Sequence, residues 1–270
     1  MSAKKQLTIT EFSRLTGIKC DNLRYYDRIG LLCPDMRGDN KYRYYSRHQL
    51  NSAFLITSLR TIGVSIEDIK TYTKNHTPED TLALFSQQDK RIQEEIRQRK
   101  EMRQILQTYS NMVKGILEHG EHSLFIEMKE REPIFLCPVI PDSMDDDEAG
   151  IMAYNYAEAH GINAGYPCGT IISKSRIDQG STQYSEHFFF KTTTHTNDAK
   201  PAGLYAVIYD TCVPWNTKII YEILQQYIDT EGLEIIGPAY EEYPMEDSIS
   251  QGMVQCCVRI EIPVRYKTKE

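Results

Sequence analysis

Between positions 78 and 118 the apolar residues Leu82, Phe85, Ile92, Ile96, Leu106, Val113 and Leu117 recur at spacings of 3, 7, 4, 10, 7 and 4. That rhythm places them along one seam of a single long helix, with charges of both signs between them. A helix of this length can bury its seam against a partner or against its own domain. An antiparallel coiled coil between two copies is the economical arrangement. Arg99 and Arg103 interrupt the seam near its middle.

Ahead of this helix the pattern breaks into short amphipathic pieces. Thr8 and Glu11 have the spacing of a capping box, which starts a helix over 9–16. Gly17 supplies a turn, and a second helix over 18–28 directs Leu23 and Tyr26 inward, leaving Arg24, Tyr25 and Arg28 outward before Gly30 ends it. The run "PDMRGDNKYRYYS" over 34–46 joins turn residues to alternating Tyr and Arg, the pattern of a β-hairpin wing. An apolar helix over 48–60, Gly63 and a helix opened by Ser65 and Asp68 complete a helix-turn-helix unit with a wing.

After the long helix the period changes from helical to strand-like. "LFIEMKEREPIFLCPVI" (124–140) gives two strands, 146–160 a helix, and "GTIIS" and "EHFFFKTTT" two strands. "GLYAVIYDTC" is a strand, 215–231 a helix, and "GPAYEEYP" and "MVQCCVRIEIPVRY" are strands. A β-α-β-β order thus occurs twice, as in an internal duplication around a shared cleft. The fold class is α+β.

Charge sharpens this division. Residues 1–76 carry 13 Lys and Arg against 7 Asp and Glu, residues 77–120 carry 7 of each, and residues 121–270 carry 11 against 24, for a net of −7. The basic head suits a polyanion, and the acidic remainder suits solubility or cations. No run of 18 apolar residues occurs, so a soluble cytoplasmic protein is expected. The seven cysteines show no CxxC spacing and read as free thiols, with no metal or cofactor expected.

The motifs "LTITEFSRLTGI", "LRYYDRIGLL", "YRYYS" and "LRTIGVSIEDIK" resemble, in order and spacing, the head of the MerR family of transcription regulators. The resemblance divides the chain into a winged helix-turn-helix over 1–76, a dimerisation helix over 77–120 and an effector domain over 121–270. It implies a homodimer on double-stranded promoter DNA, with RNA polymerase as a further partner and activation by distortion of an over-long promoter spacer. The DNA contacts it implies are Lys19, Arg24, Tyr25 and Arg28 around the recognition helix and Arg37, Lys41, Tyr42 and Arg43 on the wing. Three positions depart from the family pattern: Lys19 replaces a capping serine, Asp21 a basic residue, and Lys41 the glycine before the Tyr-Arg of the wing.

The C-terminal repeat, with "PAGLYAVIYDT" and "GLEIIGPAYEEYP", resembles the GyrI-like effector domain of multidrug-sensing MerR members of the BmrR type. That resemblance implies a pocket for lipophilic cations, with a glutamate of a Tyr-Glu pair as counter-charge. By motif the pair is Tyr240 and Glu241, but Glu242 follows on the opposite face of the strand, so both are candidates. Tyr205, Tyr209, Tyr240 and Tyr243 are the aromatic candidates. His119 with His122 offers weak metal spacing, and Cys256 with Cys257 reads as packing. A small-molecule hydrolase using Glu241 or Glu242 as base is the alternative from another class.

Overall fold

In the computed structural model the described residues are 6–39, 41–74, 77–120, 122–141, 143–212, 216–245 and 256–268. Residue 215 and residues 253–255, which the sequence patterns place in a helix and a strand, lie outside them. The chain forms two compact units, residues 1–99 and 100–270. Their boundary falls inside the long helix.

In the first unit, β1 (Gln6–Thr8) leads into α1 (Ile9–Thr16) through the expected capping box: Glu11 N–H donates to Thr8 Oγ1 at 3.2 Å and Thr8 N–H to Glu11 Oε2 at 2.9 Å. Gly17 takes a left-handed conformation (φ 74°) and its N–H closes the helix onto the Ser13 carbonyl. The second helix, α2, spans Cys20–Arg28, two residues shorter at its start than the apolar pattern suggests. Lys19 occupies the cap position and provides no side-chain hydrogen bond, as its chemistry dictates.

The wing consists of β2 (Met36–Arg37) and β3 (Arg43–Ser46), paired Arg37 to Arg43 and Met36 to Tyr44. β1 adds to the other side of β3, a strand of three residues too short to show alternation in the sequence. Helices α3 (Gln49–Thr61) and α4 (Ile66–Lys74) complete a core of Phe12, Leu23, Tyr45, Ile56 and Ile69. Phe12 stacks on Tyr45 with ring centroids 4.5 Å apart.

The long helix α5 spans Pro78–His119. Thr77 and Asp80 form a capping pair at its start that the hydrophobic pattern did not reveal. Six of the seven seam residues are exposed in the single chain; Leu117 and Leu82 are 80% and 69% accessible, and only Val113 is partly covered. In its last turns Met112 is buried and Ile116 is half-buried, and both lie off that seam.

The second unit is a curled antiparallel sheet built by duplication. One half is β5 (Glu132–Val139), α6 (Asp146–Ala159), β6 (Cys168–Ile172) and β7 (His187–Phe190). After the short helix α7 (Lys174–Asp178) and strand β8 (Asp198–Lys200), the other half is β9 (Gly203–Cys212), α8 (Lys218–Thr230), β11 (Ala239–Met245) and β12 (Cys256–Tyr266). β10 (Leu233–Ile235) pairs with β12, and β4 (Ser123–Lys129) pairs with β9. The strand order β9-β12-β11-β6-β7-β5 joins the halves through the β11·β6 pair, each half repeating the same local order.

Both repeat helices cover the same sheet face. α6 presents Ala149, Ala153 and Ala157, a stripe of small side chains at i+4 intervals, to Phe135, Phe188 and Phe190. α8 presents Ile220, Tyr221, Leu224 and Ile228 to Ala206, Ile208, Val258, Ile260 and Ile262. The other face carries Ile134, Ile171, Phe189, Tyr205, Val207, Tyr209, Tyr240 and Cys257, with Ile116 of α5 against them.

Candidate DNA interface and ligand pocket

In the head, amphipathicity decides which side chains remain outside. Leu23 and Tyr26 are buried as their spacing dictates, while Lys19, Arg24, Tyr25 and Arg28 are exposed. Arg28 lies over the Tyr25 ring, 5.5 Å from its centroid, and Arg24 Nη1 pairs with Asp21 at 2.5 Å. That exposed ion pair contributes little to stability. It offsets part of the basic charge at the start of the recognition helix, which is how the unusual Asp21 acts on its neighbour.

On the wing, Lys41 and Tyr42 are exposed, and Lys41 adopts φ 60°. Glycine meets no Cβ penalty in that conformation, and a lysine there costs about 1–2 kcal/mol. Arg37 and Arg43, assigned to DNA from the sequence, share one carboxylate while keeping 53% and 28% of their side chains exposed. Arg37 Nη2 donates to both oxygens of Asp27 at 2.8 Å, and Arg43 Nε donates to Oδ2 at 2.6 Å.

In the second unit, strand alternation separates the candidate ligand residues into two groups. Tyr205, Tyr209, Tyr240 and Glu242 share the α5 side of the sheet, and Glu241 and Tyr243 share the side of α6 and α8. A register shift after Glu242 brings the Tyr243 hydroxyl to Glu241. The single pocket of four tyrosines expected from the sequence is therefore divided by the sheet itself.

On the α5 side each tyrosine already faces a cation of the protein. Lys200 Nζ lies 5.1 Å from the Tyr240 centroid, Arg259 Cζ 5.6 Å from that of Tyr209, and Lys129 Nζ 5.8 Å from that of Tyr205. Glu242 accepts from Lys191 at 2.7 Å and from Lys200, while Glu261 accepts from Lys200 and Arg259, each at 2.8 Å, and from Lys129. Burial pushes the Glu242 carboxyl up, but Lys191, Lys200 and Arg259 together hold it well below the usual carboxylate range. Glu261 is likewise held at about 2, burial being outweighed by Lys200 and Arg259. Glu132, Glu242 and Glu261 approach closely enough to share a metal ion, but the Lys200 ammonium contacts all three.

Glu241 has the opposite environment. It is buried at 3% exposure, and its oxygens accept from the hydroxyls of Thr217 at 2.9 Å, Tyr243 at 2.9 Å and Thr170 at 3.1 Å. No cationic side chain pairs with it among the described residues. Burial pushes its carboxyl above the ordinary range, against hydrogen bonds from the hydroxyls of Thr217, Tyr243, Tyr221 and Thr170 that pull it down.

A pocket of about 490 Å³ lies one side chain away from this carboxylate, which is itself not part of the lining. Its lining includes Ile151 and Tyr154 of α6, Gly169, Thr170 and Phe188 of the sheet, and Tyr243, with Asp146 and Asp147 at the first turn of α6. Ile151 and Tyr154 are exposed although apolar, with accessibilities of 63% and 40%, because the alanine face of α6 takes the sheet contact and leaves them to the pocket. Sequence reading identified this helix but not the face that would line a pocket. Thr170 and Tyr243 connect the two sites, each lining the pocket and donating to Glu241.

His119 stacks on Phe125 at 4.0 Å, and His122 Nδ1 meets Asp210 at 2.6 Å, so the two histidines have separate partners. Cys256 faces Cys212, with sulfurs 3.5 Å apart, while Cys257 belongs to the cluster on the other face. Among the described residues no helix is long and apolar enough to cross a membrane.

A helix-turn-helix head with a basic, aromatic outer face, joined to a duplicated sheet domain with its own pocket, defines a ligand-responsive DNA-binding regulator. Residues 7–76 match the family described as MerR HTH family regulatory protein. The chain is 28% identical over 268 residues to the multidrug-efflux transporter 2 regulator of Bacillus subtilis (strain 168), covering 97% of each chain. It is 36% identical over 90 residues to the multidrug-efflux transporter 1 regulator of the same organism, covering 33% of this chain and 32% of that one. A solved structure described as an EcmrR-DNA complex in EcmrR-RPo covers 97% of this chain and 100% of that one, with a TM-score of 0.40 and 20% identity. Residues 7–76 thus form a MerR-family helix-turn-helix domain, and the relatives that the chain resembles are transcription regulators rather than enzymes.

Proposed function

We propose that the chain binds promoter DNA as a homodimer in the cytoplasm and activates transcription with RNA polymerase when a lipophilic cation occupies the pocket between α6 and the β6·β11 seam. The observation that carries the ligand class is Glu241, a buried carboxylate surrounded by neutral hydroxyl donors, with no cation paired to it among the described residues. Glu242 is not the acceptor, since its charge is already balanced by Lys191, Lys200 and Arg259. Apolar walls and aromatic rings bind many shapes, burial contributing about 25 cal/mol per Å² and each ring about 0.5–2 kcal/mol against a desolvated cation. The carboxylate then selects for positive charge.

Arg24, Tyr25 and Arg28 reach the major groove, and Lys41 and Tyr42 reach the backbone beside it. Two heads held by paired α5 helices read two half-sites at a separation set by the protein. Distortion of the spacer requires about 1–6 kcal/mol, which must come from contacts present in only one state of the regulator. The similarity over 97% of the chain to a multidrug-efflux regulator supports this reading.

Calorimetry with a tetraarylphosphonium ion and a neutral analogue of equal size tests the ligand class. The cation is expected to bind and the neutral analogue to bind much more weakly. Equal affinities would remove the role of Glu241 as counter-charge.

A further inference from the structure

Two arginines from opposite strands of the wing meet one buried carboxylate of the recognition helix. Asp27 lies in the last turn of α2 with its side chain 3% exposed, while Arg37 remains 53% and Arg43 28% exposed. Arg37 and Arg43 are cross-strand partners, so the same carboxylate grips β2 and β3 at one rung. β2 is two residues long, and a hairpin that short is marginal without outside support. On its β3 side the wing is held by β1; on its β2 side Asp27 supplies the attachment.

Asp27 also borders the core of the head. Its charge is the second cause, after burial, of the rise of the Tyr45 hydroxyl to about 12. A carboxylate at that depth requires compensation, which the two guanidiniums provide. The cluster retains one net positive charge from two arginines, so the wing presents less free charge to phosphate than its sequence suggests.

We infer that Asp27 is a positioning residue for DNA recognition, one that fixes the wing against the recognition helix. It sets the offset between the groove contacts of Arg24 and Tyr25 and the backbone contacts of Lys41 and Tyr42. Being anionic, it repels phosphate itself and acts only through the two arginines. The inference rests on the DNA-binding reading above.

The test uses the full-length protein, the duplex that the wild type selects from a random library, and a scrambled duplex of equal composition. In Asp27→Asn the wing loses its ionic anchor while the protein gains one unit of positive charge. Affinity for the selected duplex should fall about tenfold, the scale of one displaced contact. Affinity for the scrambled duplex should hold or rise, with a salt slope steeper by about one. A parallel fall on both duplexes, or no change on either, overturns the inference. Should Asp27→Asn fail to fold, Arg43→Lys keeps the charge but lacks the Nε donor: the ratio of selected to scrambled affinity should fall at unchanged salt slope, and an unchanged ratio overturns the inference. Failure of the wild type to select any duplex would instead sink the DNA-binding reading.

Discussion

The hydroxyl of Tyr243 donates to Glu241 Oε2 at 2.9 Å, and that ring also lines the pocket beside α6. One residue away on the same strand, Glu242 points through the sheet into an internal ion network. Two adjacent glutamates thus have opposite assignments. Glu241→Gln should lower affinity for a tetraarylphosphonium ion by about 2–5 kcal/mol, the usual effect of removing one partner of a desolvated charge pair, with little effect on folding. Glu242→Gln should destabilise the domain by about 3–5 kcal/mol, because Lys191 and Lys200 would lose a buried partner. Calorimetry and thermal melting of both variants check the division, and a reversed pattern would assign the ligand to the other face.

The same environments determine the response to acid. Glu242 and Glu261 have carboxyls lowered in the folded state, Glu261 to about 2, so their stabilisation is present above the ordinary carboxylate range. It is lost as pH falls from that range toward 2. Glu241 is raised, so the charged form that a cation needs disappears at higher pH than for an ordinary glutamate. Cation affinity should therefore weaken on acidification before the domain unfolds. Binding isotherms and circular dichroism over one pH series read both; unfolding that precedes the loss of affinity would contradict the order.

Assembly is read from α5. Ile92 and Ile96 are exposed in the single chain at 39% and 49% on a face of apolar residues. Asp substitutions at both should convert a dimer to a monomer in sedimentation while leaving helix content unchanged. A double variant that still sediments as a dimer would place the interface elsewhere.

Much of the architecture was legible because it depends on local chemistry. Thr8 with Glu11, Gly17, and Ser65 with Asp68 mark helix ends by side chains that satisfy neighbouring backbone groups, and the structure places their hydrogen bonds there. The site was less legible because it depends on which neighbours meet across the sheet. Alternation showed that Glu241 and Glu242 diverge, but only the pairing of β11 with β6 and β12 shows which one meets Lys191 and Lys200. Tyr205, Tyr209 and Tyr240 were grouped with Tyr243 by composition, and strand parity separates them. Asp27 gave no signal, since its two partners lie 10 and 16 residues away. Lys41 was visible as a departure, and its positive φ supplies the physical reason that glycine suits that position. Lys41→Gly should accordingly stabilise the head by up to about 1 kcal/mol in thermal melting, even as it removes a charge from the wing.

The last prediction concerns the contact by which α5 reaches the sheet. A Cβ built on Gly115 would lie 2.1 Å from the Tyr209 hydroxyl oxygen and 3.0 Å from Cζ, so glycine is what lets the helix approach that ring. Tyr209 in turn lies under Arg259, whose guanidinium contacts Glu261 and Glu242. Gly115→Ala must push the ring or the helix aside, and overpacking of this kind costs about 1–3 kcal/mol despite the better helix propensity of alanine. Removing the hydroxyl in Tyr209→Phe deletes the nearest clashing atom, so the double variant should recover a large part of the loss. Chemical denaturation of the wild type, both single variants and the double variant completes the cycle. Strict additivity would show that Gly115 serves some purpose other than admitting Tyr209.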